Sequence, residues 1–336
     1  MRRQLYVRRV TVAAVVAALS STGLAAGLAT APPAAAAVAP QTVAPRIVAP
    51  ATVVGAINRS SRSAVLAAYR NRYVAPARIA NAWTGSVSGC VAGTNSSAYT
   101  RATLTAINWA RGQAGIPPVV GLNSTYTAQA QRAALMMQAQ GALSHAPSTS
   151  WRCWSSAGAA AAGRSNLSLG VAGARAIGMY LVEPGSGNTA AGHRRWLLYP
   201  RLGRIGIGNT GTANAVYVLG ARASRIPTGT PAYYAWPTSG YFPRAAEPRG
   251  RWSLSSSRGY SFSRATVRVV GPSGAVVRVV RYAPRTGFGD NTLVWQLASV
   301  PSQRARVDQT YRVTVSGIRT PSGATTRYSY AVTLIS

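Results

Sequence analysis

Very few side chains in this sequence can take part in acid–base, nucleophilic or metal-ligand chemistry. The 336 residues include two His, four acidic residues and two Cys. In the region that we predict to mix helices and strands, His145, Glu183 and His193 form most of that set. Each lies at the end of a predicted element, where side chains commonly face clefts, so the three could converge on one site. The alternative is that each histidine is a hydrogen-bonded structural residue, the more frequent role of a lone histidine.

The two cysteines are Cys90 and Cys153, and we predict that they form a disulfide, because the N-terminus indicates export to an oxidising compartment. The alternative is a catalytic thiol at Cys153, since His145 lies eight positions before it and could act as a base. Ser144 is next to His145 in the chain, but the side chains of adjacent residues diverge and rarely form a nucleophile–base pair.

Missing residue types and motifs exclude several classes of function. The sequence has no Lys, so it has no Walker-type phosphate lysine, kinase lysine or Schiff-base lysine. It contains neither G-x-S-x-G nor H-E-x-x-H. Gly206–Gly211 matches G-x-G-x-x-G, but the segment after it has the pattern of a strand and not of a helix. We therefore do not interpret it as a dinucleotide site.

The N-terminus has the pattern of a secretory signal peptide over residues 1–37. An Arg-rich start is followed by an apolar, Ala-rich run and by small residues up to Ala37. An uncleaved membrane anchor is the alternative, although an Ala-rich run inserts weakly. Residues 38–60 are rich in Pro, Ala and Val and predict an extended linker. We expect a secreted protein, extracellular or associated with the cell wall, without a transmembrane helix in its mature form.

The charge balance predicts an anionic partner. All 36 basic residues are Arg, against four acidic residues, which gives a net charge of +32. A guanidinium keeps its charge at physiological pH and binds phosphate or carboxylate in bidentate geometry. Teichoic-type polymers or acidic lipids of the cell envelope are the expected partners, whereas nucleic acid is not expected for an exported chain without a recognition motif. The alternative is a compositional bias that scatters Arg over the surface.

Helical spacing and turn residues predict the elements of the first part of the chain. We predict a helical extension over residues 61–99, interrupted near Pro76, and then a domain over residues 100–222. Within that domain, helices are predicted before Gly115, in the Ala-rich segment before Gly141, and around Ile177. The segments GRIGIG and AVYVLG predict paired strands, which makes an α/β sandwich.

Residues 230–336 have a different pattern and predict a separate β domain. Short runs of β-branched and aromatic residues, such as RATVRVV and YRVTVSGI, alternate with turn sequences such as Gly271–Gly274. Tyr311 lies where the tyrosine corner of a Greek-key sandwich could be. We predict an all-β, immunoglobulin-like sandwich here, so the fold class is α+β.

The first of these domains resembles a known family over about residues 100–220. The segments that carry the resemblance are INWARGQAGIPPV, an Ala-rich helix leading to LSHAP, then SNLSLG, and then GHRRWLLYPRLGRIGIG, in that order. Together they resemble the CAP superfamily, which comprises the cysteine-rich secretory, antigen 5 and pathogenesis-related proteins, in its bacterial secreted form. The resemblance implies an α-β-α sandwich with a central cleft that carries two histidines and two acidic residues, which can bind a divalent metal.

Carried over to this sequence, the two cleft histidines match His145 and His193, with His193 leading into a core strand. One acidic residue matches Glu183. The other acidic position, in a family pattern that reads Glu-Asn-Leu, is Ser165, followed by Asn166. A serine hydroxyl is a poor metal ligand, so the cleft loses a charge.

Three uses of this cleft are open. The first is a zinc site formed by His145, Glu183 and His193 with one open position, as in His₂Glu catalytic sites. The second is a hydrogen-bonded network around water, in which Arg194 or Arg195 pairs with Glu183. The third is a binding scaffold without metal.

The resemblance implies a binding function first. We expect a non-catalytic extracellular or cell-envelope binding protein. The alternatives are a metal-dependent hydrolase that uses His145, Glu183 and His193, and a protein that binds a lipid or sterol in a groove of the CAP domain.

Overall fold

The computed structural model describes residues 55–119 and 121–336. The predicted signal peptide, 1–37, and most of the predicted linker, 38–60, lie outside the described residues. Residues 55–119 and 121–336 belong to one compact unit, which is described here by itself. Within the described part of the chain, no helix combines the length and the apolar character needed to cross a membrane.

The N-terminal extension is helical over residues 62–78, with the break near Pro76 that the sequence predicts, but residues 79–96 form no helix, contrary to the prediction for 61–99. Helix α1, Arg62–Tyr69, begins where the Ser61 hydroxyl accepts a hydrogen bond from the backbone N–H of Ala64. It continues into a π-helical turn, Arg70–Val74, and a short 3₁₀ turn, Pro76–Arg78. The proline cannot donate a backbone hydrogen bond, which ends the helical run.

Five further helices follow, and their ends have identifiable causes. Asn123 caps the start of α3 and Gly141, in the left-handed conformation with φ 69°, ends it. The predicted helix around Ile177 is α5. The helix bounds are α2 Ser97–Gln113, α3 Ser124–Gln140, α4 Ser156–Ala162, α5 Gly173–Val182 and α6 Gly192–Leu197.

A small antiparallel sheet lies between these helices. Its strands are β1 Ser165–Leu169, β2 Gly206–Asn209 and β3 Ala213–Tyr217, in the order β1-β3-β2. One hydrophobic cluster joins α3 and α4 to one side of the sheet, and another joins α2, α5 and α6 to residues such as Ile207 and Val216. Helices thus cover both faces, which gives the α-β-α layering that the sequence predicts.

The remaining strands form two larger sheets. The first has the order β4-β6-β10-β9 and the second β5-β12-β11-β7-β8. All neighbouring pairs are antiparallel except β5 and β12. The strand bounds are β4 Tyr233–Trp236, β5 Gly240–Pro243, β6 Arg251–Ser256, β7 Thr266–Val270, β8 Val276–Val277, β9 Val279–Arg281, β10 Asn291–Leu297, β11 Gln309–Arg319 and β12 Thr325–Ile335. The chain is therefore α+β, with a β-rich C-terminal region.

The β-rich region shares its core with the helices. One cluster of buried apolar side chains runs from Ile57 to Ile335. Trp109 of α2 packs edge-on against Trp236 of β4, with 5.9 Å between ring centroids. Gln113 Nε2 donates hydrogen bonds to Thr238 Oγ1 and to the carbonyl of Tyr241. Side chains from the segments 100–222 and 230–336, which the sequence predicts as two domains, thus pack together.

The two cysteines are joined, which confirms the predicted disulfide. The Cys90–Cys153 bond connects the segment before α2 to the loop before α4 and closes a sequence separation of 63 residues. A crosslink over a loop of this length restricts the unfolded chain and so raises the free energy of the unfolded state.

We predict that the double variant Cys90→Ala/Cys153→Ala loses on the order of 4 kcal/mol of unfolding free energy, the value that loop-closure entropy gives for such a loop. Equilibrium denaturation of the variant, beside the protein in its oxidised and reduced forms, measures this loss. The reduced protein should match the variant. A variant as stable as the oxidised protein would contradict the prediction.

Candidate functional site

Four of the predicted site residues line one pocket of about 320 Å³. They are His145, Ser165, Asn166 and His193. His145 lies in the loop after α3, Ser165 and Asn166 begin β1, and His193 is in the first turn of α6. The helix ends and the strand start therefore bring together side chains that are up to 48 positions apart in the sequence.

Helix α6 corrects one expectation from the sequence. His193 leads into a short helix, and not directly into a core strand. Trp196 and Leu197 are buried on this helix, so its apolar character comes from a helical turn packed on the core. The strand begins only at Gly206.

His193 is oriented by a buried carboxylate. Its Nδ1 lies 2.8 Å from Glu183 Oε2, and its ring stacks on Tyr180 with 5.4 Å between centroids. Because the carboxylate accepts, Nδ1 carries the proton of this hydrogen bond. Within the described residues Nε2 makes no hydrogen bond, and the His193 side chain is 25% exposed. The nitrogen that is left for a ligand is therefore Nε2.

His145 is held in the same manner. Its Nδ1 donates to the carbonyl oxygen of Ala162 at 2.9 Å, because a carbonyl can only accept. Its Nε2 forms no hydrogen bond with the described residues. In both histidines Nε2 thus offers a lone pair when the ring is neutral and an N–H when it is charged.

Glu183 does not line the pocket but lies behind His193. It follows the last residue of α5 in the left-handed conformation, with φ 57°, and its side chain is fully buried. Oε2 accepts from His193 Nδ1, and Oε1 accepts from the backbone N–H of Arg194 at 2.8 Å. Both oxygens are therefore used in orienting the start of α6.

One interpretation of the sequence expects the guanidinium of Arg194 to pair with Glu183, but it does not. It donates through Nε to the carbonyl of Leu181 at 2.7 Å and through Nη1 to Ser253 Oγ at 2.9 Å. Burial lowers the pKa of Arg194 to about 10, although the charge of Glu183 opposes this shift. Arg194 therefore remains charged at neutral pH and links α6 to the β-rich region. Arg195 likewise donates to backbone carbonyls.

The two residues of β1 have different surroundings. Asn166 Nδ2 donates to the carbonyl oxygen of His193 at 3.0 Å, so it positions α6. Ser165 is 5% exposed, and its hydroxyl has no hydrogen-bond partner among the described residues. A buried hydroxyl without a partner costs free energy.

The donor set does not fit a zinc site with three protein ligands. Two imidazole nitrogens face the pocket, but both oxygens of Glu183 are already engaged. Across residues 55–119 and 121–336, no group of three or more His, Cys, Asp or Glu side chains could hold a metal ion. The neutral hydroxyl of Ser165 does not replace the missing carboxylate. We therefore derive no step through a metal.

The pocket has a cationic lining. Arg164 and Arg285 contribute to its wall, beside the two histidines. All four acidic residues lie in the described part of the chain, and none of them lines the pocket. Each is engaged elsewhere: Glu183 with His193, Glu247 with Trp252, Asp290 with Tyr234 and Asp308 with Arg62.

Sequence reasoning missed the wall residues Arg164, Arg285 and Phe288. Arg164 immediately precedes Ser165 in the sequence, and this adjacency could have predicted that Arg164 lies at the site. Arg285 and Phe288 are about 90 positions after His193, in the segment between β9 and β10. Their arrival at the pocket depends on how the β-rich region packs on α6, which local patterns do not encode.

The middle of the chain matches a known protein family. The model of the family described as "CAP: Cysteine-rich secretory protein family" matches residues 104–220, which include both histidines, Ser165, Asn166 and Glu183. A search of curated proteins found no match.

We predict that Glu183→Ala lowers the unfolding free energy by about 3 kcal/mol, because it leaves the His193 Nδ1–H and the Arg194 backbone N–H buried without an acceptor. Chemical denaturation measures the change. Asp308→Ala is the matched control: it removes a carboxylate from the partly exposed pair with Arg62 and should cost less than about 1 kcal/mol. Equal losses in the two variants would show that Glu183 has no special structural role.

Proposed function

Because residues 104–220 form a CAP domain, we propose that this protein binds a polyanionic component of the cell envelope, outside the cell and without catalysis. The observation that carries the proposal is the lining of the pocket. Two histidines and two arginines line it, and none of the chain's four acidic residues does. Such a lining favours an anion, because Arg and charged His donate hydrogen bonds to phosphate or carboxylate oxygens.

Two further features support an extracellular place of action. Residues 1–37 have the pattern of a signal peptide. The Cys90–Cys153 disulfide suits an oxidising compartment. We also propose that the β-rich region is an immunoglobulin-like sandwich, since Trp252 of one sheet packs edge-on against Tyr311 of the other.

The overall charge and the pocket would contribute differently to binding. Without the four arginines of residues 1–37, the net charge falls from +32 to +28. This charge raises the local concentration of any polyanion and accelerates its encounter with the protein. This long-range attraction does not select among polyanions. The pocket, by contrast, offers a fixed set of donors and acceptors, and we assign the selectivity to it.

A hydrolase is the second candidate, and one contact favours it. The 2.8 Å pair of Glu183 and His193 has the geometry that orients a general base, with Nε2 directed away from the carboxylate. The lipid or sterol alternative has less support here, because charged and imidazole side chains line the pocket.

Poly(glycerol phosphate) is a suitable probe for the binding proposal. We predict saturable binding in isothermal titration calorimetry, with an affinity that falls about 10-fold or more between 50 and 200 mM salt, since counterions are released. The variant His145→Ala/His193→Ala should bind at least about 10-fold more weakly, because each lost charge-assisted hydrogen bond costs on the order of 1.5 kcal/mol.

Arg152→Gln is the matched control, since Arg152 is exposed and does not line the pocket. This control should bind like the unmodified protein. If it weakens binding as much as the double histidine variant does, the interaction depends on overall charge and the pocket proposal is wrong. If the unmodified protein hydrolyses the probe and the double histidine variant does not, the protein is a hydrolase and the proposal of binding without catalysis is wrong.

A further inference from the structure

One wall of the pocket comes from outside the CAP domain. The segment 282–290, between β9 and β10, contributes Arg285, Gly287 and Phe288 to the lining. This segment lies more than 60 residues beyond the part of the chain that matches the family. The pocket is therefore a composite of the CAP domain and the β-rich region.

Arg195 holds this segment against α6. Its Nη1 donates to the carbonyl of Arg285 and its Nη2 to the carbonyl of Asp290, each at 2.9 Å. Its guanidinium also lies over the Phe288 ring, 5.3 Å from the centroid, where a cation–π interaction is favourable. Three contacts from one buried side chain thus fix the backbone and the ring of the segment.

Close packing and a second arginine fix the neighbouring wall. Gly192 lies directly under the Phe288 ring, and a Cβ there would come within 2.8 Å of two ring carbons. Arg251 of β6 donates to the carbonyls of Gly185 at 2.8 Å and Asn188 at 3.4 Å. The loop that leads into α6 is therefore positioned by the β-rich region as well.

The segment presents two different groups to a ligand. The Arg285 side chain is exposed and makes no hydrogen bond with the described residues, so all its donors are available. Phe288 is half-buried and contributes apolar surface to the pocket beside it. His145 and His193 line the same pocket, and their Nε2 atoms can pair with hydroxyl groups. A ligand with a phosphate for Arg285, a carbon skeleton for Phe288 and hydroxyl groups for the histidines is a polyol phosphate.

We propose that segment 282–290 is the specificity element of the pocket, and that it selects one unit of a soluble polyol phosphate or sugar phosphate polymer. Arg285 binds the phosphate and Phe288 packs against the carbons of the unit. A cavity of about 320 Å³ has room for one such unit. This inference rests on the proposed function, because it names the ligand class of the same pocket.

The test compares Arg285→Gln, Phe288→Ala and the control Arg278→Gln in calorimetric titrations with a glycerol phosphate oligomer. Arg278 is exposed, close in sequence and absent from the pocket lining. Arg285→Gln should weaken binding about 10-fold and reduce its salt dependence, because one phosphate contact is lost. Phe288→Ala should weaken binding about 5-fold with the salt dependence unchanged, because it removes apolar contact only. Arg278→Gln should bind normally.

Each outcome decides between the two proposals. If the unmodified protein binds the oligomer and both segment variants bind equally well, segment 282–290 is not the specificity element, and the proposed function stands. If the unmodified protein binds neither the oligomer nor phosphatidylglycerol vesicles, both proposals are wrong. Binding to phosphatidylglycerol vesicles but not to the oligomer would overturn the assignment to a soluble polymer. Should Phe288→Ala lower the melting temperature, Phe288→Leu, which keeps the packing under Arg195, replaces it.

Discussion

The site depends on the hydrogen bonds that the buried carboxylate of Glu183 accepts. The backbone of Glu183 is in the left-handed conformation that ends α5. Its carboxylate accepts hydrogen bonds from the His193 ring and from the backbone N–H of Arg194. A buried carboxylate is tolerated only when its oxygens are satisfied, so these contacts fix the start of α6 relative to α5. The direction of the His193 ring, and with it the availability of Nε2, follows from this constraint.

The scarcity of acidic residues gives the pocket its character. With four carboxylates against 36 arginines, most guanidinium groups lack an acidic partner, and the buried ones donate to carbonyl oxygens instead. Arg111, for example, donates to the carbonyls of Leu197 and Tyr199 at 2.8 Å each and so supports the end of α6. Burial lowers its pKa to about 10. Because the carboxylates serve structural contacts, the pocket remains cationic.

Much of the structure over residues 100–222 could be predicted from the sequence. The helices α2, α3 and α5 have regular spacing and recognisable ends, such as Asn123 and Gly141. These ends place His145 and Glu183 at element boundaries. Helix α6 was not predicted, because its six residues are too few for a periodic signal and its stability comes from packing.

The composite nature of the pocket could not be predicted from local patterns. Strands and turns in residues 230–336 are legible because alternation and glycine-containing turns are local properties. The position of Phe288 against Gly192 is instead set by contacts between residues 96 positions apart, through Arg195. The exact role of Glu183 was also hidden, since its spacing fits a ligand to a metal as well as it fits a partner of His193.

The most direct test of the account uses the fact that the chain has two histidines. In an NMR spectrum of imidazole groups labelled with ¹⁵N, each ring gives its own set of signals, and both Nε2 atoms face the pocket. On titration with glycerol phosphate, we predict that the Nε2 signals of His145 and His193 shift together and saturate, while the Nδ1 signals stay nearly constant because Ala162 and Glu183 hold them. If neither Nε2 signal moves while the ligand binds, the pocket is not the binding site.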